Sequence, residues 1–277
     1  MKIIKRVFLI VFVFLFIAFL SVQNSILQIT EYVSYSNEIS KDIRILQLSD
    51  LHNAYFGEEQ ERLVKKIQEV NPDVIFMTGD MIDYRDTTSM KDLQPCLDIV
   101  RGLNEQYPIY YITGNHEAEN KYWLKLRREL LKLNVVVLEN ESINFNDEIT
   151  ITGMDDYAFF RPTRFTKTVK ALSNKVEKNK LNLLLSHRPH YLDTYEEANF
   201  DYVFSGHAHG GQIRIPFIFP NGMYAPGQDW FPKYTRGVHE IAENVTLIVS
   251  RGLGNSRFPL RFLNYPNIVV LDIKAKN

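Results

Sequence analysis

The sequence predicts an α/β protein of two packed sheets with helices outside, preceded by one apolar N-terminal helix. Three observations predict it. The first half alternates short apolar runs with helical periodicity, the second half is rich in short strand candidates, and residues 7–22 form an uncharged apolar run.

Lys2, Lys5 and Arg6 precede that run. A spanning helix needs about 20 apolar residues, and Ile3, Ile4 and tilt extend this one. A cleaved signal peptide is the alternative, but no small-x-small site stands before Asn24. Residues 1–24 are therefore read as an uncleaved single-pass anchor. The positive flank stays cytoplasmic, which makes the rest extracytoplasmic at the cell membrane. A buried core helix is disfavoured, because this one is apolar all round. Residues 25–40 read as a polar juxtamembrane linker and 41–277 as one catalytic domain.

In that domain, Ile43 to Ser49 is an apolar strand, followed by a helical pattern from Glu58 to Val70. Asp73 to Gly79 is the next strand, with a helix through Leu103. Ile109 to Gly114 is the third, with a helix through Leu133. Such runs indicate βαβ units and a parallel sheet buried on both faces. The later candidates are VVVLE, ITITG, LNLLLS, DYVFSG, VTLIVS and NIVVLDI, interrupted by a helical segment around Lys167 to Lys178. They read as a second, mixed sheet.

Composition narrows the function. With 32 basic and 33 acidic residues, the near-neutral charge removes the argument for non-specific nucleic-acid binding, and no nucleic-acid or protein partner is expected. The single cysteine, Cys96, excludes an intramolecular disulfide and a thiolate cluster; it reads as a semi-buried small residue.

The chemistry lies just after the strands. The first is followed by Asp50-Leu51-His52, and the second by Gly79-Asp80 with Asp83 close behind. The third runs into Gly114-Asn115-His116-Glu117, the strand LNLLLS ends at His187, and DYVFS ends at Gly206-His207-Ala208-His209. Five of seven histidines thus follow a strand. Binding crevices lie at the carboxyl ends of strands, so five loops should meet there. Imidazole with carboxylate and no thiolate suits Mn, Fe or Zn. Two divalent ions about 3.5–4 Å apart need a bridging carboxylate, and Asp80 is the natural bridge. A bridging hydroxide is then the expected nucleophile. Alone, each piece has a bland reading: a surface Asp-x-His pair, a Gly-Asn turn, a glycine-rich loop. Five in order are not an accident.

The segments DLH, GDMID, GNHE, SH and GHAH resemble the signature blocks of the calcineurin-like metallophosphoesterases. The resemblance spans the chain after the anchor. It implies a four-layer α/β/β/α sandwich with a dimetal site. It also implies that Asp50, His52 and His209 hold one metal, that Asp80 bridges, and that Asn115, His187 and His207 hold the second. His116 matches the catalytic histidine, the general acid. Manganese is the first expectation, iron or zinc the alternatives. The GHAHGGQ block, the anchor and the tail RGLGNSRFPLRF look like a bacterial membrane-linked branch that includes enzymes similar to UDP-2,3-diacylglucosamine pyrophosphatase. Ala208, where Thr is frequent, and Asn267, where an acid is usual, depart from that branch.

The expectation is a membrane phosphodiesterase or pyrophosphatase acting on a phosphoester substrate, lipid-linked in the sharper version. A phosphomonoesterase or nucleotidase on soluble substrates is the enzymatic alternative, and a non-catalytic metal-binding scaffold the rival of another class. Asp83 either orients a ligand histidine or caps the next helix. His190 reads as an ordinary polar residue, and Asp155 and Asp156 as a loop cap or site lining. Arg214, Arg236, Arg251 and Arg257 are candidates for a substrate phosphate, each with a structural alternative. Ile215 to Gly222 and Trp230-Phe231 read as loop packing or, more sharply, as a lip for lipid.

Overall fold

The computed structural model describes residues 2–160, 162–255 and 260–276. Arg257 and part of the RGLGNSRFPLRF tail lie outside the described residues.

The chain opens with helix α1 (Lys2–Ser25). At 1.5 Å per residue it is about 36 Å long, and residues Ile4–Ser25 are long and apolar enough to cross a membrane. Most of its apolar side chains are exposed, but its last turns dock on the domain. Leu20 and Gln23 are buried, and Phe16 and Phe19 lie 6.2 and 6.1 Å from the Phe262 ring.

Next come β1 (Gln28–Ser36), β2 (Ile43–Leu48), α2 (Glu61–Val70), β3 (Val74–Thr78), α3 (Gln94–Leu103), β4 (Ile109–Ile112), α4 (Asn115–Glu119), α5 (Trp123–Lys132) and β5 (Val136–Val137). The second half holds β6 (Glu141–Asn144), β7 (Ile149–Gly153), α6 (Pro162–Ser173), β8 (Leu181–Leu185), α7 (Leu192–Glu196), β9 (Tyr202–Ser205), a small ribbon of β10 (Tyr224–Ala225) and β11 (Asp229–Trp230), β12 (Gly237–Ala242), β13 (Val245–Val249) and β14 (Asn267–Ala275).

Two six-stranded mixed sheets result, ordered β1-β14-β2-β3-β4-β5 and β12-β13-β9-β8-β7-β6. In the first, β2 through β5 run parallel; in the second, β13, β9, β8 and β7 do. Three apolar cores separate four layers. Leu63, Ile67, Ile99, Val100 and Leu126 of α2, α3 and α5 cover the outer face of the first sheet. Ile45, Phe76, Ile112, Leu183, Phe204 and Leu271 fill the space between the sheets. Phe165, Val169 and Tyr195 of α6 and α7 cover the second sheet. β3, β4, β8 and β9 are buried at every position, as strands covered on both faces must be. The layers follow the order α/β/β/α.

Several sequence expectations need correction. The stretch 25–40 is not a linker throughout, since β1 pairs parallel with β14 over nine residues. Its edge position leaves Glu31, Val33 and Tyr35 exposed, so no apolar run announces it. NIVVLDI does not join the second sheet but enters the first as β14, antiparallel to β2. VVVLE supplies only the two-residue β5, also in the first sheet. The helix placed after β3 starts late, at Gln94, and the one after β4 is two, α4 and α5. The segment near Lys167 begins earlier, at Pro162. Cys96 is fully buried, and burial pushes its thiol pKa up.

Candidate metal centre

The strand ends do converge. Asp50 and His52 follow β2, Asp80 follows β3, Asn115 and His116 open α4, His187 follows β8, and His207 and His209 follow β9. The first two loops are tied by backbone: the Asp50 amide donates to the Gly79 carbonyl at 3.0 Å, and the His52 amide to the Asp80 carbonyl at 3.1 Å. Asp50, His52, Asp80, His207 and His209 all adopt positive φ, between 45° and 66°. Non-glycine residues reach that region only when their surroundings hold them there. Gly206 is needed for close approach, because a Cβ there would stand 1.9 Å from Ser49 Oγ.

Three overlapping groups have ligand atoms all within 4.8 Å of one another. They are Asp50, His52 and His209; His52, Asp80 and His116; and Asp80, His187 and His207. Asp80 belongs to two of them, sharing one with His52 and His116 and the other with His187 and His207, and His52 links these to the third. The Nε2 atoms of His52 and His209 are 3.2 Å apart, and His187 Nε2 stands 3.1 Å from Asp80 Oδ2. His207 Nε2 and Asn115 Oδ1 are buried without a hydrogen-bond partner, as groups aimed at a cation would be. Nitrogen and oxygen donors without thiolate fit two divalent cations of the Mn, Fe or Zn type.

The supporting contacts are equally specific. His187 Nδ1 donates to the Thr78 carbonyl at 2.7 Å, leaving Nε2 for the centre. The His207 amide donates to Asp50 at 2.9 and 3.0 Å, and the His116 amide to Asp80 Oδ1 at 2.8 Å. The Tyr84 amide donates to His116 Nδ1 at 3.2 Å, which puts the ring proton on Nε2. Asp83 resolves between its two readings: its Oδ2 faces His52 Nδ1 at 3.5 Å and His116 Nδ1 at 3.6 Å, and it caps no helix.

Electrostatics follow from burial and charge. Burial disfavours the Asp80 carboxylate, yet His187, His116 and His52 hold its pKa well below the usual value. Burial pushes Asp50 up, with the Asp80 charge adding to it against His187 and His52. Burial opposes charge on His187, but Asp80 raises its pKa to about 10. His207 and His209 are pushed well down by burial, then by neighbouring cations.

The centre opens into a cleft of about 290 Å³ lined by Asp80, Asn115, His116, His207 and His209, with Tyr84, Glu119, Arg188, Gln212, Tyr224 and Pro226 around the mouth. The arginine here is Arg188, which sequence reasoning missed. Asp156 grips it through two hydrogen bonds, 2.8 and 2.9 Å. That partner is 32 residues away, so nothing local to Arg188 reveals its role. None of Arg214, Arg236 and Arg251 lines the cleft. Glu117 was also missed as a support. Asp155 accepts from Thr113 at 3.0 Å and from Asn140 at 2.6 Å. His190 does not line the cleft and packs at a tilt against Tyr191, ring centroids 4.7 Å apart. Phe217, Ile218, Trp230 and Phe231 are exposed, with Phe231 stacked on Phe219 and Trp230 edge-on to Tyr224, and Tyr224 of the same segment reaches the cleft.

A two-sheet sandwich carrying histidine and aspartate at converging strand ends, around a cleft with an arginine, defines a metal-dependent phosphoesterase. The chain belongs to the calcineurin-like phosphoesterase family, whose model matches residues 43–211. An uncharacterised metallophosphoesterase of Campylobacter jejuni is 30% identical over 268 residues, covering 94% of this chain and 67% of that protein. One of Bacillus subtilis is 31% identical over 241 residues, covering 84% and 80%. In fold, the chain resembles the crystal structure of a dimetal phosphatase from Danio rerio, with TM-score 0.50 and 11% identity over 76% of this chain and 88% of that one.

Proposed function

We propose that this metallophosphoesterase is a phosphodiesterase or pyrophosphatase working at a membrane. Asp50, His52 and His209 would hold one divalent cation, Asn115, His187 and His207 the other, and Asp80 both. The observation that carries this reading is that Asp80 shares ligand groups with His52 on one side and with His187 and His207 on the other, its carboxylate held ionised by the histidines around it. Bound there, two cations would polarise the phosphoryl oxygens and activate water.

The remaining work falls to this chain's own residues. His116 Nε2 carries the ring proton on the cleft side, 4.0 Å from Asp80 Oδ2, and donates it to the leaving oxygen. Asp83 places a negative charge behind the His52 and His116 rings, at 3.5 and 3.6 Å. Arg188, fixed by Asp156, matches a phosphate oxygen pair. Manganese is the preferred cation. The apolar α1 supports an anchored protein, and its basic start supports an extracytoplasmic domain.

The test uses full-length protein in detergent micelles with Mn²⁺. Hydrolysis of bis-p-nitrophenyl phosphate that stops on chelation and in Asp80→Ala and His116→Ala supports the reading. Cleavage of p-nitrophenyl phosphate alone would shift it to a phosphomonoesterase. No turnover with any divalent metal, in folded protein, would leave a metal-binding scaffold.

A further inference from the structure

We propose that Arg214, Arg236 and Arg251, with Tyr32, form a second anion site that holds the phosphate of an anionic lipid headgroup at the foot of α1. The site is a pocket of about 230 Å³ lined by these residues with Gln28, Thr30 and Asn267. None of its lining residues lines the catalytic cleft.

Three guanidiniums converge there without a counter-ion. Arg214 and Arg236 both donate Nε to the Pro220 carbonyl, at 3.0 and 3.2 Å. Arg251 donates Nη2 to Gln28 Oε1 at 2.8 Å. Among the described residues, no carboxylate comes within ion-pair distance of any of the three. Arg251 is buried. Burial and the neighbouring arginines bring the pKa of Arg251 and of Arg214 down to about 10. One buried and two half-buried cations lining one pocket repel one another, and an anion joining them would relieve that cost. Arginine forks match phosphate oxygens in geometry as well as charge.

Position identifies the source. The pocket begins at Gln28, three residues after α1 ends at Ser25. The Arg214 amide donates to the Phe262 carbonyl at 2.9 Å, and the Phe262 ring packs on Phe16 and Phe19 of α1. Phe217 and Ile218, three and four residues past Arg214, are exposed. An apolar helix, an apolar loop tip and a basic pocket thus share one rim. If α1 spans a bilayer, as proposed above, headgroup phosphates lie at this level; the choice of lipid over free phosphate rests on that reading.

The experiment is calorimetric titration of the full-length, metal-loaded protein in maltoside micelles. The probes are short-chain phosphatidylglycerol, short-chain phosphatidylcholine and inorganic phosphate. Wild type should bind phosphatidylglycerol saturably and more tightly than either other probe. Arg214→Gln/Arg236→Gln should bind it at least tenfold more weakly, while metal content and hydrolysis of a soluble diester stay at wild-type values. Should the double variant not fold, Arg236→Glu alone, at a half-exposed position, gives the same readout. Equal affinity in wild type and variant would overturn the proposal, and so would inorganic phosphate binding that matches the lipid in affinity and is weakened as much by the double variant; phosphate held at the metal centre is recognised by being unchanged in the variant. An inactive wild type would refute the phosphoesterase reading and leave this readout intact.

Discussion

The carboxylate of Glu117 accepts the amide of Asp80 at 2.8 Å, and the same carboxylate accepts the Met81 and Gly114 amides and the Tyr111 hydroxyl. It is fully buried. With the Ile82 amide at 3.3 Å, five donors from β4 and two loops meet one side chain, which fixes the left-handed Asp80 beside His116. Burial raises the Glu117 pKa, with the Asp80 charge adding to it; the amides and Tyr111 pull the other way.

Glu117→Gln keeps the shape and replaces one acceptor by a donor facing amides. It should lower stability by about 2–4 kcal/mol and reduce kcat at least tenfold. Thermal unfolding and diester hydrolysis on the same preparation check this. A stable, fully active variant would show that Asp80 holds its place without Glu117.

Arg188 and Asp156 predict a different signature. Arg188→Ala should raise KM for a diester by about tenfold or more, with a smaller change in kcat. Asp156→Asn should do the same to a lesser degree, because it loosens the fork without removing it. Arg188→Lys should not restore KM, since an ammonium cannot make paired contacts. An unchanged KM in all three would remove Arg188 from substrate binding.

Asp201 links stability to pH. Burial pushes its pKa up from 3.8 to about 6, although the Asn182 amide, which it accepts at 2.6 Å, opposes the shift. The folded state therefore holds the proton more tightly than the unfolded one. Its contribution to stability falls as pH rises from about 4 to 6, and the penalty of the buried charge is fully present above that window. Asp201→Asn keeps an acceptor and removes the charge. It should stabilise the protein by about 1 kcal/mol at pH 8, allowing for partial exposure, and by nothing measurable near pH 4. Denaturant unfolding of both proteins at the two pH values decides it; an equal difference at both would reject the titration.

The fold and the converging loops are legible for one reason: each candidate ligand directly follows an apolar run that only a buried strand explains. Asp50, Asp80, Asn115, His187 and His207 all obey this. β1 was not legible because, as an edge strand, it needs no continuous apolar run. β14 reads as a strand, yet its place depends on pairing with β2 across more than two hundred residues of chain, which no local pattern encodes. The Arg188–Asp156 fork and the meeting of three arginines are likewise facts of tertiary contact.

Gln23 joins α1 to the metal centre through two steps. Its side-chain amide donates to the Arg261 carbonyl, and its oxygen accepts the Leu263 amide at 2.9 Å. Arg261 is itself buried, bonded to the Arg251 carbonyl at 2.8 Å and to Asn255 at 3.0 Å, with Nη2 3.2 Å from His209 Nδ1. Burial lowers its pKa to about 9 even though the Asp50 charge favours the cation. Gln23→Ala would leave a buried amide and a buried carbonyl unpaired, at a cost of about 1–3 kcal/mol. With the metal ligation proposed above, the loosened 261–263 segment should then release a cation bound beside His209 more readily. In full-length protein in micelles, Gln23→Ala should unfold at lower temperature and lose metal to a chelator several-fold faster than wild type. Gln23→Glu, which keeps only the acceptor for Leu263, should fall between the two. Lower stability with unaltered metal release would make Gln23 a clasp for the helix alone; faster release would show that the seat of α1 reaches the proposed metal centre.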